Sequence, residues 1–164
     1  MIPGYTITIQ NFTKPGDGII VQTPVYYPFM DGVVNNGRKL VYNPLIEKEG
    51  DWFMDFEDLE RKVKDPDNKL LILSNPHNPV GRAWTAEELT RLGDLCAENC
   101  VLLISDEIHA DLMMKGVKHT SVGTLSEKIK NIPLSIMLQA KLLIWPVFRL
   151  PMRLFQIMSC AKNT

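Results

Sequence analysis

The sequence lacks an excess of charge of either sign. Its 18 Lys and Arg residues nearly cancel its 19 Asp and Glu residues, which leaves a formal net charge of -1. That balance offers no electrostatic driver toward a polyanion, so nucleic acid is not an expected partner. The chain also lacks any apolar run near the ~18 residues a membrane helix requires, and no membrane partner is expected. Its opening, Met1-Ile2-Pro3-Gly4, has no basic stretch followed by an apolar one and does not read as a secretory leader. Cysteine is scarce: Cys96, Cys100 and Cys160. An odd number without close pairing points to reduced thiols and a cytoplasmic location. Cys96 and Cys100 lie four apart on a predicted helix with no His or Cys pair nearby, so they read as core or surface thiols rather than metal ligands. No G-x-G-x-x-G follows a strand, which argues against a nucleotide-binding module of that kind. Neither an internal repeat nor a low-complexity linker is present.

What is present is an alternation of apolar strands and amphipathic helices in an ordinary globular composition, 45% apolar and 23% charged. A turn at residues 14–17 precedes a strand over 18–22. Residues 26–35 suit a short helix that stops near Gly37. A strand is predicted over 39–42. Asp55 can cap a helix through Lys64 that places Phe56, Leu59 and Val63 on one face, and Pro66 ends it. Another strand covers 69–74. Thr85 and Glu88 form a capping box before a helix with Leu89, Leu92, Leu95 and Cys96 on one face. A fourth strand covers 101–105. This order predicts an α/β fold, with a mostly parallel sheet and helices on both faces. Four strands of a larger sheet would leave one edge unpaired.

Ligands of open parallel sheets sit beyond the carboxyl ends of the strands. Three segments there are rich in polar and aromatic groups. Ser105-Asp106-Glu107-Ile108-His109 ends a buried strand with carboxylates. A carboxylate in that place is costly unless paired, and a protonated heterocycle nitrogen is one partner that would justify Asp106. A helix cap or a metal ligand would justify it as well. His109 alone reads as readily as a structural hydrogen-bonder. In Asn75-Pro76-His77-Asn78-Pro79-Val80-Gly81 two prolines stiffen the backbone and Gly81 relaxes it, so the loop can aim the Asn78 amide or be merely a rigid turn. Thr23-Pro24-Val25-Tyr26-Tyr27 offers rings that either face a ligand or pack in the core.

Together the three segments resemble the class I/II aminotransferase family, whose signature N-P-x-N-P-[TV]-G precedes a strand ending in S-D-E. The stretches FTKPGDGIIVQTPVYYPF, LSNPHNPVGRAWTAEEL and LLISDEIHADL are most similar to its cystathionine beta-lyase branch, and His109, where many aminotransferases carry Tyr, points the same way. The resemblance covers residues 2–137. It implies part of the large domain of a pyridoxal 5'-phosphate (PLP) enzyme, a carbon–sulfur beta-lyase or an aminotransferase. It also implies a small amino-acid substrate and a homodimer in the intact relative. Asp106 would pair with the pyridine nitrogen and keep it protonated. Asn78 would hydrogen-bond the ring's phenolic oxygen, His109 would lie near that oxygen, and Tyr26 would stack on the ring. His77, Tyr27 and Arg82 match the motifs without an implied direct role.

The pattern breaks near Met137. The family places its Schiff-base lysine in a stretch resembling A-P-S-K-T-F-N-L-A-G, whereas this chain reads Leu138-Gln139-Ala140-Lys141-Leu142-Leu143-Ile144-Trp145-Pro146-Val147. A shifted reading frame through those codons permits the family stretch, and its second Ala is forced by Trp145 and Pro146. Residues 1–137 are therefore expected to be a partial PLP-binding domain, and 138–164 an out-of-frame tail. With no catalytic lysine motif, the chain is expected to be a fragment without turnover, or a non-enzymatic remnant. The start also resembles the interior of the family's large domain, just before a helix.

Overall fold

The computed structural model describes residues 2–125 and 135–138. The proposed out-of-frame tail, apart from Leu138, lies outside the described residues. Five parallel strands form the main sheet: β1 (Gly18–Val21), β2 (Lys39–Tyr42), β5 (Asn68–Ser74), β6 (Leu102–Asp106) and β7 (Ser135–Leu138). Their spatial order is β2-β1-β5-β6-β7. A separate antiparallel hairpin pairs β3 (Ile46–Lys48) with β4 (Asp51–Phe53).

Strand alternation divides the apolar side chains between two faces. Ile19, Val21, Leu70, Ile72 and Ile104 meet Tyr5 and Ile9 of α1 (Ile2–Phe12) and Phe29 and Val33 of α2 (Pro28–Asn35). Ile20, Leu71, Leu73 and Leu103 meet Leu59 and Val63 of α3 (Phe56–Lys64) and Leu89, Leu92 and Cys96 of α4 (Ala86–Glu98). Helices thus cover both faces, as the continuous apolar strands demand. α1 and α2 approach closely at Gly32, where an added Cβ would lie 2.5 Å from Tyr5 Cε2.

Local chemistry sets the helix starts. Asp55 accepts the Asp58 N–H at 2.9 Å. Thr85 and Glu88 complete their capping box at 3.2 and 2.9 Å. Three features depart from the sequence reading. α1 already runs from Ile2, although Ile7 and Ile9 alternate with Thr6 and Thr8 in a β-branched run that favours a strand. Burial of Tyr5 and Ile9, one helical turn apart, overrides that propensity. The hairpin went unpredicted, yet Glu49 and Gly50 both take positive φ (55° and 87°), the conformation of a two-residue hairpin turn. β7 makes a fifth strand where four were expected, and β2 is an edge of the sheet.

The strand order creates a crevice. The chain leaves β1 toward β2 on one side and leaves β5 toward β6 on the other. The loops after β1 and β5 therefore diverge, and the space beyond their carboxyl ends is the topological switch point where ligands of such sheets bind.

Candidate functional site

The three sequence-predicted segments follow three adjacent strands, β1, β5 and β6, so the topology gathers all of them at one end of the sheet. Tyr26 stands in the loop after β1. Its ring is partly buried and meets Phe29 edge-on at 5.8 Å. Its N–H donates to the Asn78 carbonyl at 3.0 Å, which ties the first segment to the second.

Asn78 is held by its backbone. Its N–H donates to Ser74 Oγ at 3.1 Å, and that hydroxyl donates to the Pro76 carbonyl at 3.2 Å. The amide side chain makes no hydrogen bond among the described residues and is partly exposed. Asn78 and His109 line one cleft of about 340 Å³, together with Pro76, Pro79, Leu112 and Met113. The peptide bonds before Pro24, Pro76 and Pro79 are all cis.

Asp106 ends β6 and is 5% exposed. Among the described residues its carboxylate accepts one hydrogen bond, from the Ile108 N–H at 3.2 Å. Burial pushes its pKa up to about 6, against the lowering effects of that N–H and of nearby His109. Tyr5 is buried within the field of Asp106. Its hydroxyl donates to the Pro28 carbonyl at 2.8 Å, and burial, then the fields of Tyr26 and Asp106, raise its pKa to about 12. Tyr26, Asn78, Asp106 and His109 thus share one end of the sheet.

Sequence reasoning passed over the polar groups that support these residues. Glu107, 1% exposed, accepts from Ser105 Oγ at 3.0 Å and the Val122 N–H at 3.0 Å, and its other oxygen lies 3.2 Å from His119 Nε2. Asn75 donates its N–H to the Asp106 carbonyl and its side-chain N–H to the Thr120 carbonyl, both at 2.9 Å. The segment around residues 119–122 is thereby fastened across the ends of β5 and β6. Its contact partners lie far along the chain, and nothing local marks them. Five buried polar atoms, Gln22 Oε1, Asn75 Oδ1, His77 Nδ1, Asp94 Oδ1 and His119 Nδ1, have no hydrogen-bond partner among the described residues. Gln22 follows β1, Asn75 and His77 follow β5, Asp94 lies in α4 and His119 stands beside Glu107. No group of three or more metal-ligating side chains occurs among the described residues, and the Cys96 thiol is free and buried.

Residues 4–139 match the model of the aminotransferase class I and II family. The chain belongs to that family. Among its relatives, it is 50% identical over 132 residues to cystathionine beta-lyase PatB of Bacillus subtilis, a match covering 80% of this chain and 34% of the relative. It is 33% identical to a cystathionine beta-lyase of Corynebacterium glutamicum, over 86% of this chain and 36% of that one. The fold superposes on cystalysin from Treponema denticola, a structure containing pyridoxal 5'-phosphate, with a TM-score of 0.82 and 42% identity over 85% of this chain and 35% of cystalysin. The chain spans about a third of the length of the curated family members it matches.

Proposed function

We propose that this chain supplies the cofactor-ring side of a PLP-dependent carbon–sulfur beta-lyase acting on cystathionine-like amino acids. The observation that carries the reading is Asp106, a buried carboxylate with a single backbone donor at the carboxyl end of a parallel strand. Such a group needs a cationic partner to be stable in its charged form, and a protonated pyridine nitrogen is one. The unpartnered amide of Asn78 suits the phenolic oxygen of the ring. His109 would stand near that oxygen, and Tyr26 would stack on the ring face. The orphaned Gln22 Oε1, just after β1, is a further polar atom at this end of the sheet.

When bound, PLP supplies an electron-withdrawing ring that stabilises negative charge at the α-carbon of an amino acid. Asp106 would hold the proton on the ring nitrogen. Asn78 would fix the ring's orientation in its plane, and Tyr26 would exclude water from one face. Relatives named as cystathionine beta-lyases favour the lyase reading. Aminotransferases at 32–36% identity support a transaminase as the second reading, with the same ring-binding residues. The complete assembly is proposed to be a cytoplasmic homodimer. No helix among the described residues is long and apolar enough to cross a membrane.

The chain lacks the family's lysine motif, and we propose that it has no turnover by itself. PLP titrated into the purified chain, followed by borohydride reduction and peptide mapping, tests the reading. Binding that Asp106→Asn weakens about tenfold or more would support the site. Label trapped on Lys141, three residues beyond β7, would support an enzyme after all. Free PLP throughout would leave a non-enzymatic remnant.

A further inference from the structure

We infer that His77 is a positioning residue, which latches the loop carrying Tyr26 to the loop carrying Asn78 across the crevice between β1 and β5. Its purpose rests on the cofactor-site reading above, whereas its existence rests on geometry alone. The parallel ladder between β1 and β5 runs from Gly18 to Val21 and stops. Beyond it the two loops head in opposite directions. Two hydrogen bonds among the described residues join them there. His77 Nε2 meets the Pro24 carbonyl at 2.9 Å, and the Tyr26 N–H meets the Asn78 carbonyl at 3.0 Å. They are consecutive rungs, because 77 and 78 are neighbours on one loop and 24 and 26 lie two apart on the other.

The chemistry of the first rung is determined. A carbonyl oxygen only accepts, so Nε2 carries a proton, and burial, which lowers the ring's pKa and favours the neutral form, leaves Nδ1 bare. His77 is 1% exposed, and its Nδ1 is buried without a hydrogen-bond partner among the described residues. Its own loop fixes the ring. The His77 N–H donates to the Arg82 carbonyl and the His77 carbonyl accepts from the Gly81 N–H, both at 2.7 Å. The ring stands edge-on to Trp84 at 5.5 Å, and Trp84 Nε1 donates to the Ser74 carbonyl at 3.0 Å. A ring clamped from behind in this way transmits the position of its loop to Pro24, and so to Tyr26. The separation of the loops that carry the Tyr26 ring and the Asn78 amide is then set by His77.

The test uses the full chain, labelled with nitrogen-15, as wild type, His77→Phe and His77→Gln. Phe keeps the contact with Trp84 and removes the donor, and Gln restores an N–H. In His77→Phe the Tyr26 amide should exchange about tenfold faster, with the Ile20 and Leu71 amides of the sheet nearly unchanged, and His77→Gln should return it toward the wild-type rate. A Tyr26 amide indifferent to Phe, or one accelerated equally with the sheet amides in both variants, would overturn the latch. Should His77→Phe not fold, the wild-type ring decides: long-range nitrogen correlations should show Nε2 protonated and Nδ1 bare, and the reverse tautomer overturns the proposal. PLP titrated into the same samples separates the two readings. A working latch with no binding overturns the cofactor site alone. Equal binding by wild type and His77→Phe overturns the positioning role.

Discussion

Asp106 and Glu107 are adjacent in sequence and similarly deep, 5% and 1% exposed, yet the regions they enter differ in kind. Strand alternation sends them to opposite faces of the sheet. Asp106 follows Ile104 toward the α1 and α2 side, where it finds one backbone N–H. Glu107 follows Leu103 and Ser105 toward the α4 side, where a hydroxyl, a backbone N–H and an imidazole surround it. At Glu107 the carboxylate itself is well supplied, although Nδ1 of the neighbouring His119 is buried without a partner among the described residues. The region at Asp106 is polar, buried and under-supplied with partners. A fold tolerates such a region only when its stability elsewhere is sufficient, and the shortfall is what the proposed cofactor ring would fill.

The largest way to break this comparison is to empty the better-supplied region. Glu107→Ala would strand Ser105 Oγ, the Val122 N–H and the His119 ring in the core. It should destabilise the chain by about 3–5 kcal/mol, measured by urea unfolding. A loss below about 1 kcal/mol would mean that Glu107 is no better supported than Asp106.

The opposite sign is expected at Asp106. Its pKa rises from 3.8 to about 6 on folding, so the folded chain holds this proton more tightly than the unfolded chain does. The carboxyl costs no stability below pH 3.8, costs progressively more as pH rises through about 6, and stays costly above that. The full cost is about 3 kcal/mol. Asp106→Asn should therefore stabilise the chain by up to that amount at pH 8 and by much less at pH 4. Equal effects at both values would remove the titration from the account. Saturating PLP should narrow the gap at pH 8, because a cationic ring nitrogen compensates the carboxylate that Asn lacks.

The smallest effect sharpens the boundary between the regions. Asn75→Ala removes the hydrogen bond to the Thr120 carbonyl and should cost about 1 kcal/mol. Faster exchange should appear at the Val122 amide and not at Ile108. Loosening at both would mean that the two regions are one network.

Much of this architecture was legible in the residues. The alternating strands and the caps at Asp55 and Thr85 act over a few neighbours, so their physics is local and their signals are contiguous. α1 was hidden because its β-branched run favours a strand until Tyr5 and Ile9 are buried against α2. The hairpin at Glu49 and Gly50 was hidden because Glu is an uncommon residue at positive φ. In the site, motif spacing pointed to Tyr26, Asn78, Asp106 and His109, which all lie at the same end of the sheet. It could not point to His119 and Val122, which reach Glu107 from 12 and 15 residues away.

The sequence by itself determined strands β1, β2, β5 and β6, the starts of α3 and α4 and the residues placed after β1, β5 and β6, because alternation, capping and turn chemistry are properties of short stretches. Only the tertiary structure decided which strand ends became neighbours, which of two adjacent carboxylates was satisfied, and which ring nitrogen of His77 bears the proton. Those outcomes depend on strand order and on contacts between distant loops, and strand order is set by the packing of whole helices against whole faces of the sheet.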